Sequence, residues 1–155
     1  MFGRGQGLNY GNVPKLLAPE ISCGGNYVLD VNGQYYSTTK VYGYIKRQSC
    51  PYSYYFLLGL LNSSIFWFFI RNTGYVLRGG FFTFKTNYVS PFPIPEYKSS
   101  NIKLIRSVEN LVKEILVKRE NNHLCDVSIL VKQIDDLVFQ IYDFTKIDIE
   151  TVLFL

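Results

Sequence analysis

YYFLLGLLNSSIFWFFIRNTG, residues 54–74, is the stretch whose reading decides the fold. Its apolar run Tyr54–Ile70 raises a membrane span, yet it sits at the short limit of the roughly 20 residues a crossing helix needs. Asn62-Ser63-Ser64 occupies its centre, and Asn and Ser side chains compete for backbone hydrogen bonds and favour helix ends. The stretch therefore reads as two short buried helices, about 53–61 and 64–71, with Ser63 or Ser64 capping the second. Such helices belong in a core and need a partner surface.

Upstream, NYVLDV and QYYSTTKVYGYI flank Asn32-Gly33, the strongest short hairpin signal because both residues tolerate positive φ. Residues 38–46 read as a strand, and residues 1–25 as loop with a short apolar element at Lys15–Ile21 interrupted by Pro19. Downstream, Asn72–Gly74 is a turn and YVLRGGFFTFKTNYV a strand broken by a bulge or tight bend at Gly79-Gly80. SPFPIPEY, with prolines 91, 93 and 95, is an extended connector. Beyond it the periodicity turns helical. Ile102, Ile105, Val108, Val112, Ile115 and Leu116 share one face of a helix over about 102–120. Asn121-Asn122-His123 break it, and a second helix over about 126–142 carries Leu130, Ile134, Leu137, Val138 and Ile141. Thr145-x-x-Asp148 matches a capping box for a short last helix.

The expected class is α+β. A small twisted, mostly antiparallel sheet from residues 26–95 packs against the two short helices, burying Phe56, Leu57, Leu60, Leu61, Phe66 and Phe69. A C-terminal helical hairpin follows, with Val108, Val112, Ile115, Ile134, Val138 and Ile141 along its seam. The hairpin either completes the core or leaves apolar surface for another chain, and the pattern is compatible with both.

Charge is distributed unevenly. Residues 31–95 contain no Asp or Glu, yet hold Lys40, Lys46, Arg47, Arg71, Arg78 and Lys85. Residues 96–155 carry ten acids against eight bases, so the net +4 of the chain is a local +6 offset elsewhere. The acid-free stretch also holds most of the Tyr and Phe and the only Trp. Cations, aromatics and amide or hydroxyl side chains without competing carboxylates suit a polyanion surface. Core segments also exclude acids, so charge alone leaves both meanings open. Lys40 and Arg78, on strand or loop, are expected to touch DNA first; Arg71 is placed to cap a helix C-terminus.

Catalytic chemistry is sparse. His123, the single histidine, falls in a polar turn without an accompanying nucleophile motif. Asp135-Asp136 point about 100° apart on a helix and read as a solvated face rather than a metal grip. GRGQG at 3–7 and RGG at 78–80 match no nucleotide-binding loop. Cys23, Cys50 and Cys125 contain no CxxC pair and are odd in number, which argues against a zinc site or disulfide framework. With no apolar signal core near Met1, a reducing cytoplasm is the expected compartment.

The order of these segments resembles the target-recognition domains of restriction–modification systems. YYFLLGLLNSSIFWFFIRNTG, RGGFFTFKTNYVSPFPIP and the following helix are similar to the TaqI-like C-terminal specificity domain of type IIG restriction enzymes and adenine methyltransferases. FGRGQGL at 2–8, PKLLAPEIS at 14–22, VLDVNGQYYSTTKVYGYI at 28–45 and IDDLVFQIYDFTKIDIE at 134–150 fit the same family. Type I specificity subunits share the LNS-to-PIP portion, so the subfamily stays open.

The resemblance implies sequence-specific recognition of double-stranded DNA by residues 1–97, with residues 98–155 as a helical spacer or docking tail. It implies that the chain is a piece of a larger enzyme or a separate specificity module, non-catalytic by itself. The chain lacks an S-adenosylmethionine-binding fold and an Asn/Asp-Pro-Pro-Tyr/Phe motif. That cofactor is therefore expected on a separate methyltransferase domain, with none in this chain. Expected partners are DNA, the methyltransferase or endonuclease domain, and a second copy through the C-terminal helices, with no membrane. The alternative is a protein-interaction domain with a Tyr-rich surface.

Overall fold

The computed structural model describes residues 11–154. Along the chain come β1 (Lys15–Pro19), β2 (Ile21–Ser22), β3 (Val28–Asp30), β4 (Val41–Tyr44), α1 (Tyr54–Leu61) and α2 (Ser64–Thr73). β5 (Phe82–Thr83), α3 (Thr86–Val89), α4 (Ile102–Asn121), α5 (Ser128–Ile141) and α6 (Lys146–Phe154) follow. The fold is α+β, with two small antiparallel sheets and a helical C-terminal region.

The Tyr54–Ile70 stretch forms two helices, as the central Asn-Ser-Ser requires. Ser53 Oγ accepts from Phe56 N at 3.1 Å and Ser63 Oγ from Phe66 N at 3.4 Å, each satisfying an otherwise orphaned donor. Asn62, between the helices, donates to Tyr27 O and accepts from Tyr27 N at 3.0 and 2.9 Å, so its amide pairs with the strand region as a backbone would. Phe56, Leu60, Phe66 and Ile70 are fully buried and Leu57 nearly so. Burial of each such side chain contributes about 1.5–3 kcal/mol. Leu61 and Phe69 are only half-buried. Among the described residues no single helix is long and apolar enough to cross a membrane; α1 and α2 together pass by length and composition but are bent by 56°.

The sheet departs from the expected topology. Asn32-Gly33 does turn the chain, with Gly33 at φ +67°, but β3 and β4 do not pair with each other. β1 lies between them in the order β3-β1-β4. The short apolar element expected at Lys15–Ile21, within an otherwise loop-like segment, is thus the central strand up to Pro19, because Lys15, Leu16, Leu17 and Ala18 are all buried and demand cover on both sides. Lys15 and Asp30 are register partners, and their side chains form a buried ion pair at 2.9 Å. The Asp30 carboxylate also accepts from Gln34 N and Tyr35 N, both at 2.9 Å, which directs the chain away from a tight hairpin. β2 pairs with β5 as a second sheet, and Val76 bridges to Phe82. Gly79 and Gly80, at φ +84° and +77°, make the expected tight bend, since side-chain-bearing residues rarely adopt that conformation. Residues 86–89 are a helical turn, not a strand.

The C-terminal hairpin matches its pattern closely. Val108, Val112, Ile134, Val138 and Ile141 are buried and Ile115 half-buried. They join Phe56, Phe66, Phe84 and Phe92 in one continuous cluster. Gly59 of α1 is the closest approach: a methyl group there would lie 2.9 Å from Val108 Cγ1 and 3.0 Å from Val112 Cγ2. The Thr145–Asp148 capping box forms, with Thr145 N donating to Asp148 Oδ2 at 2.8 Å and Asp148 N to Thr145 Oγ1 at 3.3 Å.

Candidate nucleic-acid interface

All six basic residues of the acid-free stretch are exposed. The residue that organises two of them lies outside that stretch. Glu20, between β1 and β2, donates its N–H to Lys40 O at 2.8 Å and accepts at its own C=O from Phe84 N at 2.7 Å. It therefore ties the two sheets together, and its side chain emerges between them. Its carboxylate meets Lys40 Nζ at 3.0 Å and Lys85 Nζ at 4.0 Å. The Lys40 hydrogen bond, opposed by partial desolvation and aided by both ammonium charges, holds the Glu20 carboxyl below its ordinary range. Burial, and then the charge of Glu20, raise the neighbouring Tyr42 phenol.

Among the described residues the other four form no ion pair with Glu20. Lys46 Nζ donates to Tyr52 O at 3.1 Å and lies 5.8 Å from the Tyr54 ring centroid, so its head is partly occupied. Arg47 follows on the same loop. Arg71 stands in the last turn of α2, where a cation complements the helix dipole. Arg78 tops the hairpin closed by Leu77 N to Phe81 O at 2.6 Å, flanked by exposed Tyr75, Val76 and Phe81. Because β5 runs antiparallel to β2, Arg78 sits at the Cys23 end and Lys85 at the Glu20 end. Among the described residues Arg47, Arg71 and Arg78 form no ion pair.

Two further acids reach the acid-free region from the helical tail. Glu109 of α4 accepts from Ser53 Oγ at 2.6 Å, at the N-terminus of α1. Asp135 of α5 accepts from Ser64 N at 2.8 Å and from Ser64 Oγ at 2.5 Å, at the N-terminus of α2. Asp135 is thus not part of a solvated face. Burial raises its pKa, against the lowering effect of the Ser64 hydrogen bonds. Neither α1 nor α2 has an acid of its own in its first turn, so the tail supplies what the local sequence lacks. No run of residues announces these contacts, because they depend on helix placement across 56 and 71 positions of sequence.

Among the described residues no group of three or more His, Cys, Asp or Glu side chains could hold a metal. Cys23, Cys50 and Cys125 are free thiols, and His123 is exposed between α4 and α5. GRGQG at 3–7 and FGRGQGL at 2–8 lie outside the described residues.

The TaqI-like C-terminal specificity domain matches residues 4–94. The chain belongs to this family. No curated protein matches it. The matched segment holds β1 to β5, α1 to α3 and all six basic residues, and it stops before the helical tail. Membership in the TaqI-like specificity family supports a DNA-recognition role in restriction–modification.

Proposed function

We propose that this chain is a sequence-specific recognition module for double-stranded DNA in a type II restriction–modification enzyme, without catalysis of its own. The specificity-domain match over residues 4–94, which contains every cation of the acid-free stretch, carries this reading. Arg47, Arg71 and Arg78, exposed and unpaired among the described residues, meet phosphates; Lys46 adds a partly engaged cation, and Lys40 and Lys85 act from the Glu20 cluster. Amide and hydroxyl side chains on the exposed 31–40 loop, such as Asn32, Gln34 and Tyr35, have the donors and acceptors that read base edges. S-adenosylmethionine belongs to a separate methyltransferase domain, and the helical tail faces that domain or a second copy of this chain. The cytoplasm, where cellular DNA is met, is the compartment this role requires.

Exposed Tyr75, Val76 and Phe81 on one hairpin favour a second reading, a polypeptide-binding surface. Selection from a randomised duplex pool separates the two. Enrichment of one site, with affinity falling about 0.9 log units per log unit of salt for each phosphate contact, is the expected outcome. No enrichment and a flat salt response would leave the polypeptide surface in its place.

A further inference from the structure

We infer that Glu20 is a specificity-determining residue: it neutralises part of the charge of Lys40 and Lys85, so that the pair contributes little to binding arbitrary duplex. This rests on the DNA-recognition reading and assigns a role to one acid within it. Three observations support it. The carboxylate lies 3.0 Å from Lys40 Nζ and 4.0 Å from Lys85 Nζ, one oxygen facing each lysine. The main chain that carries it is held by backbone bonds to Lys40 O and from Phe84 N, which anchors the base of the side chain between the two lysines. Its side chain is 15% exposed while Lys40 and Lys85 are 77% and 56% exposed, so the acid sits beneath two cations that reach outward.

Two ammonium groups above one carboxylate leave a net charge of +1 where the lysines alone would give +2. Non-specific affinity depends on cations that neutralise phosphates, irrespective of sequence. A built-in acid at this place lowers that sequence-independent component and leaves base contacts to decide between sites. The main chain at Lys40 is also held: Thr38 Oγ1 accepts from Lys40 N at 3.1 Å and Val41 N at 3.2 Å. A weakly attractive pair of lysines favours a duplex whose base contacts bring phosphates into register with them.

The test measures binding of the full chain to a random-sequence duplex, and to a duplex selected by the same chain, across a salt series. Glu20→Gln should steepen the salt slope on random duplex by about 0.9, the equivalent of one more phosphate contact. The ratio of selected to random affinity should fall, while Glu20→Asp, which keeps the charge, should retain the original slope. The triple variant Lys40→Ala, Lys85→Ala, Glu20→Gln takes the local charge to zero and should lower the slope by about 0.9 relative to the native chain and by about 1.8 relative to Glu20→Gln. An unchanged slope in Glu20→Gln would overturn the inference. If Glu20→Gln does not fold, the triple variant decides alone: a fall of about 1.8 relative to the native chain, or no fall, contradicts the inference. Absence of duplex binding by the native chain would instead overturn the recognition reading itself.

Discussion

The specificity-domain body, residues 11–94, and the helical tail after it differ sharply in charge along the chain and scarcely at all in how they are buried. The body is acid-free from 31 to 95, whereas the tail mixes ten acids with eight bases. Yet the two share one hydrophobic cluster, and two tail acids, Glu109 and Asp135, sit at the N-termini of the body's apolar helices. Separation of charge in sequence is therefore not separation in space. The two apolar helices, which have no acid in their own first turns, take their N-terminal carboxylates from α4 and α5.

The sharpest test of the body on its own is its buried ion pair. Asp30→Ala leaves Lys15 charged and 1% exposed, and should cost about 3–5 kcal/mol, read as a lowered urea midpoint. Burial raises the Asp30 pKa, but the bonds from Tyr35 N, Lys15 and Gln34 N outweigh it and bring the value down to about 2. A depressed carboxylate stabilises the fold above its unfolded value of 3.8, and that stabilisation is lost as pH falls through about 2. The native chain should lose stability across that acid window, and Asp30→Ala should lose less. Equal losses would remove Asp30 as the source.

The body–tail contact is tested next. Gly59→Val adds atoms where even a single methyl would meet Val108 at 2.9 Å and Val112 at 3.0 Å. Valine gains some helix propensity over glycine, but both contacted residues are stiff β-branched side chains. Overpacking should prevail, with a cost of about 1–3 kcal/mol and faster amide exchange in α4. A neutral or stabilising result would mean that α1 and α4 are less closely joined.

A smaller effect is expected at the crossed cap. Asp135→Ala deprives Ser64 N–H and Oγ–H of their partner and should cost about 1–2 kcal/mol. Asp135→Asn keeps one oxygen to accept from Ser64 N and should cost less. Because the folded protein holds the Asp135 proton more tightly than the unfolded chain does, this group's contribution declines as pH rises above 3.8 through its raised folded value. Asp135→Asn should flatten that part of the stability profile; an unchanged profile would show that the carboxyl titrates as if exposed.

These contrasts also show what was legible in the residues alone. The paired helices, the proline connector and the tail could be read because periodicity and capping are local properties, as at Ser63 and at Thr145 with Asp148. The strand order could not. KLLAP is short and follows a Gly- and Asn-rich segment, and its central place comes from Lys15 meeting Asp30 across the sheet. At the candidate interface the six cations could be picked out from composition, whereas their exposure and the place of Glu20 could not. Glu20 lies eleven residues before the acid-free stretch begins at 31 and reaches Lys40 and Lys85 only through strand pairing.

The division of labour between body and tail is tested most directly by matched removal of charge. Arg47, Arg71 and Arg78 in the body, and Lys103, Arg106 and Lys132 in the tail, are all exposed, and none forms an ion pair among the described residues. Each triple alanine variant loses the same formal charge, so any difference between them reports place rather than net charge. The measurement is the slope of log affinity against log salt for one duplex. The body variant should flatten it by up to about 2.7, or 0.9 per lost phosphate contact, and the tail variant should leave it close to native. Equal flattening by the two variants, or a larger effect from the tail, would contradict the assignment of DNA binding to the acid-free body.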